Sequence, residues 1–491
     1  MAPFTRWLPA SPERSSDIVI EVAGDGNGEL AKGTTALEQG LADQGLEVLA
    51  QTERLDGIGP ATSVRLRVSA EALSSTGSGC DVLVYLGRKL PPRNSFHLQR
   101  GSLLLCDARS MQDALSPAIP EGVIVYPVPF ADLHQRHGRR SEREVIAIGV
   151  LAHLLGMPEE VIRRRLRPDF RTKYFDIGVN WASKYLQRRD ICALPSPPLH
   201  PHRQVILNAH QVVGLGLEMG NCNCGPVCVQ HLEQSPEEWI GEHVSVSWNN
   251  IASPMTRNFM AQEVYRNSHA DILALMGVHD TTMVSGGDEQ KKPRILVPAD
   301  FPDALRCMVG ARRLAHANTP VWVIMDDRLT CRSQSVLVSV LEEVAGTAAQ
   351  LEGMGDPSKT CAPDWLCRSE REGDAAADVG FVTWGASQGV VREAVAFCRS
   401  FGLKVAALYP KALRPLPTED LRTFAETVNR LIVVEPDRTL PYTRMIAAAT
   451  SLLRLASIVP EPGQPLTPMD IFLREDLGGC ATRQDSMKGV D

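Results

Sequence analysis

The chain has 491 residues, 44% of them hydrophobic and 22% charged, with a net charge of -7. That length suits about three globular domains, and the acidic balance excludes nucleic acid as the main partner. No apolar run approaches the ~18 residues of a membrane span, the opening MAPFTRWLPASPERSS lacks the apolar core of a secretory signal, and scattered cysteines in so long a chain suit a reducing compartment, the cytoplasm.

Asp17–Ala23 is a strand candidate, followed by Gly24-Asp-Gly-Asn-Gly28 and a helical stretch from Glu29 to about Gln44. Gly45 ends that helix, since glycine accepts the left-handed cap conformation, and Leu46–Ala50 reads as the next strand of a βαβ unit. Short β-rich runs follow at Asp81–Leu86, Ser102–Cys106 and Gly122–Val128. Val145, Ile148, Leu151 and Leu155 recur at helical spacing within Glu142–Leu155, and Pro158 suits the first turn of a second helix, Pro158–Leu166. The proline-rich stretch Leu194–Pro201 resists regular structure and marks a domain boundary.

The middle section, 203–330, is less regular. Its one clear α/β signal is Arg294–Pro298, a helix at about Asp303–Ala317 and the strand Val321–Met325. Residues 345–377 read as a linker. From 378 to 480 the pattern is cleanest: strand Val379–Trp384, helix Gln388–Ser400, strand Leu403–Leu408, helix Glu419–Val428, strand Leu431–Glu435. Strands alternating with helices imply a parallel sheet covered on both faces.

Several clusters carry candidate chemistry. Gly24–Gly28 sits where a dinucleotide loop would, but its spacing is GxGxG, Asp25 would repel a phosphate, and Glu53 is far along for a ribose ligand. The alternative is a tight strand-to-helix turn. Gly385 and Gly389 follow a strand and open a helix; they are candidates for cofactor binding through an anion, for a close approach between strand and helix, or for a contact with another subunit. Asp326 and Asp327, at the end of a strand, are candidates for a metal or for turn and cap duties. The run Ile162-Arg-Arg-Arg-Leu-Arg167, with Arg171 and Lys173, is either a solvated helix face or a contact for phosphate or an acidic partner. Cys222, Cys224 and Cys228 place three of the 12 cysteines within seven residues, with His231 close behind. Those four could ligate zinc or an iron–sulfur cluster, though CxCxxxC is not the paired CxxC of zinc ribbons. Reduced thiols around a Gly-Pro turn are the other possibility.

Three segments together resemble the α subunit of 2-oxoacid:ferredoxin oxidoreductases, of the 2-oxoglutarate type, in which a γ-type domain precedes a pyrimidine-binding domain and a transketolase C-terminal-like domain. The N-terminal resemblance covers 17–190: Val22–Gly28 is similar to the family's opening GxGGQG-like loop, Gly57–Ser69 to its RGG-x-S-x-x-x-x-R-V-S segment, and Val145–Gly156 to its closing helix. The C-terminal resemblance is tighter. Thr383-Trp-Gly-Ala-Ser-Gln-Gly-Val-Val-Arg-Glu-Ala394 is similar to TWGS-x-x-G-x-x-x-EA, and Leu403–Leu408, Pro415–Pro417, Ile432–Glu435 and Gly463–Ile471 follow in the family's order.

The resemblance implies an α/β chain of three domains: a γ-type domain at 17–190, a shortened thiamine-pyrimidine-binding-like domain at 203–330, and a transketolase-C-like parallel α/β domain at 378–480. It implies oxidative decarboxylation of a 2-oxoacid to an acyl-CoA, with coenzyme A as co-substrate and electrons passed to ferredoxin. Thiamine diphosphate and magnesium would lie at the interface with a β subunit, which would also hold an iron–sulfur cluster. It implies too that Asn223–Cys228 occupies the place of the family's YPITP substrate turn, with only Pro226 kept. The Glu-bearing EDE-x-A motif, the SGPG segment and the GPST-type motif have no counterpart. Glu242 is a nominal candidate for the missing Glu, and no catalytic residue can be assigned. The alternative is therefore a non-catalytic structural or regulatory paralogue of that subunit.

Overall fold

A computed structural model describes residues 17–24, 30–54, 61–87, 90, 97–109, 119–137, 143–166, 170–189, 192–221, 261–267, 270–276, 294–315, 321–353, 366, 368–435, 441–452, 455–460 and 465–473. It is a mixed α/β structure of three sheets.

The first segment runs β1 (Asp17–Ala23), α1 (Ala31–Ala42), β2 (Glu47–Arg54), β3 (Ala61–Ser69), β4 (Cys80–Tyr85), β5 (Leu98–Asp107), β6 (Ile124–Val128), α2 (Phe130–His137), α3 (Arg143–Leu155), α4 (Glu159–Arg165) and α5 (Phe170–Tyr185). The chain leaves α1 through Gly45 at φ 81°, as its sequence requires. β1, β4, β5 and β6 are parallel, but β3 inserts antiparallel between β1 and β2. The expected βαβ unit is therefore split by a strand. α3 is apolar almost all round and buried almost all round, including Val145, Ile148, Leu151 and Leu155, the signature of a helix inside a core. Each such aliphatic side chain contributes about 1.5–3 kcal/mol on burial.

The middle segment holds β7 (Gln204–Asn208), α6 (Ala209–Asn221), β8 (Ala261–Asn267), β9 (Ala270–Met276), β10 (Arg294–Leu296), α7 (Phe301–Ala315), β11 (Val321–Met325), α8 (Asp327–Thr330), β12 (Arg332–Leu337) and α9 (Val338–Gly353). Residues 192–203, which span the proline-rich stretch, form no helix or strand where described. The stretch expected as a linker, 345–377, instead starts inside α9, whose alanines and glutamates favour helix, and ends in strands.

The last segment holds β13 (Glu370–Gly373), β14 (Ala377–Val382), α10 (Ser387–Ser400), β15 (Val405–Tyr409), β16 (Ala412–Arg414), α11 (Thr418–Glu426), β17 (Val428–Val434), α12 (Pro441–Thr450), β18 (Leu455–Ile458) and α13 (Pro468–Phe472). Its sheet, β13-β15-β14-β17-β18, is parallel except for the edge strand β13.

The three segments interlock through their sheets. β12 pairs with β2, and β7 with β12, so the middle segment completes an eight-stranded sheet ordered β6-β5-β4-β1-β3-β2-β12-β7. β16 returns the favour from the last segment, pairing antiparallel with β10 at the edge of β16-β10-β11-β9-β8. At the β2–β12 seam, Val48 donates its N–H to Ser335 Oγ at 2.9 Å, and that hydroxyl donates to Glu47 Oε2 at 2.9 Å. The Ser333 hydroxyl donates to Glu38.

Candidate functional site

In the third sheet, β14 leads through α10 to β15 on one side, while β17 lies on its other side and leads to α12. Strand order reverses there. The crevice outside the carboxyl ends of β14 and β17 is where open α/β sheets take ligands. Its walls are Thr383–Ala386 and Glu435. The Thr383 hydroxyl donates to Val434 O at 2.8 Å. The Glu435 carboxylate accepts the N–H of Tyr442 at 2.8 Å and of Thr443 at 3.0 Å, and the Thr443 hydroxyl as well. A carboxylate is stable there because the first amides of α12 are unpaired donors at the positive end of a helix dipole. Tyr442 packs edge-on against Trp384, with ring centroids 6.3 Å apart. Burial first, and Glu435 second, push the Tyr442 hydroxyl pKa up.

This crevice is closed by other parts of the same chain. Asp326, at the end of β11, accepts the N–H of Ala386 on Oδ2 at 2.7 Å and that of Leu329 on Oδ1 at 2.9 Å. Gly385 sits at φ 61°, and a Cβ there would lie 2.5 Å from Asp326 Oδ2. One turn into α10, a Cβ on Gly389 would lie 1.9 Å from the backbone oxygen of Ser74. A phosphate at this loop would face a carboxylate and a carbonyl oxygen, both repulsive. The arrangement does not fit a diphosphate. Gly385 and Gly389 serve the close approach of three segments, the role the sequence offered beside anion binding.

The contact continues along α10. Arg67 Nη1 donates to Oε1 and Oε2 of Glu393 at 2.8 and 2.7 Å, and the amides of Ser75 and Ser74 reach Oε1 at 2.7 and 3.3 Å. Arg67 Nε is held by Asp17 Oδ2 at 2.6 Å. Burial acts to lower the Arg67 pKa, but Glu393 and Asp17 together leave it above the ordinary value. From α13, Met469 N–H donates to Ser78 Oγ at 3.1 Å. Between the middle and last segments, Lys411 Nζ donates to Asp303 Oδ1 at 2.9 Å.

Other sequence-level candidates fall as follows. Glu53 lies next to the last residue of β2, two strand spacings (about 10 Å) from β1, and it accepts the Ser63 hydroxyl at 3.2 Å. It is a cross-strand partner, not a ribose ligand. Arg163 pairs with Asp176 and Glu160, and Arg165 makes two bonds to Asp43 at 2.8 and 2.6 Å. Arg163 and Arg165 are thus paired within the chain, and Arg167 lies outside the described residues. Asp326 spends both oxygens on amides, and among the described residues no group of three His, Cys, Asp or Glu could hold a metal. Cys222, Cys224, Cys228, His231 and Glu242 lie outside the described residues, as does Asp25. Among the described residues, no helix is long and apolar enough to cross a membrane.

The pyruvate ferredoxin/flavodoxin oxidoreductase family model matches residues 22–183, and that of pyruvate:ferredoxin oxidoreductase core domain II matches residues 377–462. The chain belongs to the 2-oxoacid:ferredoxin oxidoreductases. It is a subunit of such an enzyme. Its fold is similar to that of a 2-oxoglutarate:ferredoxin oxidoreductase from Magnetococcus marinus, solved with 2-oxoglutarate, coenzyme A and succinyl-CoA bound. The two are 20% identical, with a TM-score of 0.70 over 96% of this chain and 100% of that one. A keto/oxoacid ferredoxin oxidoreductase γ subunit from Geobacter sulfurreducens is 18% identical over 34% of this chain and 97% of its own, with a TM-score of 0.29. A pyruvate oxidoreductase subunit from Thermotoga maritima is 16% identical over 34% of this chain and 96% of its own, with a TM-score of 0.28. No curated protein matches the sequence.

In this oxidoreductase subunit, the R-V-S and G-x-x-x-EA segments that carried the resemblance meet through Arg67 and Glu393, and Gly389 packs against Ser74, just beyond the first of them. Sequence reasoning named Gly385 and Gly389 but missed Arg67, Glu393, Glu435 and Tyr442. The signal was present: Arg67 and Glu393 each lie inside a quoted motif. Nothing in either motif shows that the two meet across 326 positions of chain.

Proposed function

We propose that the chain is the α-type subunit of a thiamine-diphosphate-dependent enzyme that oxidatively decarboxylates a 2-oxoacid, 2-oxoglutarate foremost, to an acyl-CoA and passes the electrons to ferredoxin. The observation that carries this is the presence of both matched oxidoreductase domains in one chain, locked together through Arg67 and Glu393. A further support is the fold, shared along 96% of the chain with an enzyme solved with 2-oxoglutarate and coenzyme A.

Bound thiamine diphosphate supplies the electron sink that decarboxylation of a 2-oxoacid needs. Because Gly385 and Gly389 do not fit a diphosphate, the diphosphate and its magnesium are assigned to a partner β subunit, together with the iron–sulfur cluster. What the described residues of this chain supply is placement. Asp326 fixes the carboxyl end of β11 against the last segment, and the β2–β12 seam fixes it against the first. Catalysis of this kind depends on holding reacting groups in position and excluding water. The cytoplasm is the compartment this reading assigns.

The test is turnover of the chain co-purified with its natural partner, supplied with 2-oxoglutarate, pyruvate or other 2-oxoacids, coenzyme A, thiamine diphosphate and an artificial electron acceptor. Dye reduction that needs both a 2-oxoacid and coenzyme A supports the proposal. A stable complex inert on every 2-oxoacid favours the second reading, a subunit kept for assembly or regulation. That reading has its own support: Asn223–Cys228 departs from the family's substrate turn, while the docking residues are in place.

A further inference from the structure

The Arg67–Glu393 contact is asymmetric. Glu393 brings only its carboxylate, whereas the opposite side is a shaped set of donors: Arg67 Nη1 and the consecutive amides of Ser74 and Ser75. Successive backbone N–H groups in a turn form a concave anion receptor, and a guanidinium beside them makes the bonds charge-assisted.

Several bonds within the first segment brace this receptor. Arg67 is fixed by Asp17 at 2.6 Å and by Ser75 O at 3.1 Å. Gly77 N–H donates to Ser75 Oγ at 3.1 Å and Glu71 N–H to Ser69 Oγ at 2.9 Å, while Arg65 donates to the carbonyls of Thr76 and Gly79. Donors positioned before their ligand arrives bind it at low ordering cost. The ligand side is equally defined. Gly389 and Glu393 lie one turn apart on one face of α10. The glycine lets the helix reach the Ser74 carbonyl, and that closeness brings the acid within range of the amides.

We propose that Arg67, Ser74 and Ser75 form a carboxylate-binding site in their own right. Its resident ligand is Glu393, presented by a helix with glycine one turn earlier, and a small monocarboxylate takes the place when the Glu393 side chain is cut back. The site is independent of whether the enzyme turns over.

The test uses the full chain and reads hydrogen exchange of the Ser74 and Ser75 amides. In E393A these amides should exchange about tenfold faster or more, the loss expected for bonds to a charged group. Sodium acetate should restore protection saturably, sodium chloride at equal ionic strength should not, and R67A/E393A should show no acetate effect. Unchanged exchange in E393A, equal action of chloride, or acetate protection that survives loss of Arg67 would overturn the proposal. Should E393A not fold, R67A, E393Q and R67A/E393Q are compared by the same exchange. A double variant no worse than the worse single supports the site, and effects that simply multiply refute it.

Discussion

Gly389 of the last segment lies against the carbonyl of Ser74 in the first, so closely that a single added Cβ would fall 1.9 Å from that oxygen. Backbone meets backbone there, so no rotamer change relieves the clash. G389A should destabilise the chain by about 2 kcal/mol or more, read as a fall in the urea midpoint. G346A is the control. Gly346 is exposed in α9 with nothing within 4 Å of its added Cβ, so alanine there should stabilise by about 0.5–1 kcal/mol. Equal effects at the two positions would contradict the docking role of Gly389.

Glu38 gives the seam between the first and middle segments a pH dependence. Burial lifts its carboxyl from 4.5 to about 7, with the Ser333 hydroxyl pulling the other way. Between those values the unfolded chain gives up the proton that the folded chain keeps. The Glu38 contribution is therefore full below the unfolded value and lost as pH rises through about 7. E38Q keeps an oxygen for Ser333 and cannot ionise. It should match the parent near pH 4 and exceed it at pH 8 by roughly 1–3 kcal/mol, measured as the difference in denaturant midpoints. An unchanged difference between the two pH values would sink this assignment.

Much of the fold was legible because periodicity and caps are local. The strand at 321–325, the helices of 143–155 and 387–400, and the turn at Gly45 follow from neighbours in sequence. The insertion of β3 between β1 and β2 was not legible, since strand order depends on pairing that no single run encodes. Nor was the capture of β12 by β2. Its residues Arg332-Ser-Gln-Ser335 are polar, and they are stabilised by Glu38, Glu47 and the Val48 amide rather than by an apolar pattern. At the candidate site, Gly385 and Gly389 stood out by spacing. Their partners, Asp326 and Ser74, are remote in sequence and could be found only in three dimensions.

Asp326 acts as a cap and a strut, each of its oxygens accepting an amide. D326A should cost about 1–3 kcal/mol, the price of leaving buried donors unsatisfied. Chelator or added magnesium should leave the Tm difference between parent and D326A unchanged. A metal-dependent Tm shift in the parent that D326A abolishes would contradict the assignment.

Cys222, Cys224, Cys228 and His231 remain a proposed metal site on residue chemistry alone. A closed set of four such ligands holds zinc or iron tightly. The purified chain should then carry about one metal ion that survives dialysis and is lost in C224S/C228S. Metal analysis that finds neither zinc nor iron removes the site and leaves reduced thiols at a rewritten turn.

Omission of this chain is the most direct test of its place in a 2-oxoacid oxidoreductase. Release of carbon dioxide from 2-oxoglutarate, dependent on coenzyme A and thiamine diphosphate, would be measured for the partner alone and for the complex. Turnover in the complex that disappears when this chain is left out is the predicted result. Equal turnover with and without it, or none in a complex that forms stoichiometrically, would contradict a catalytic role.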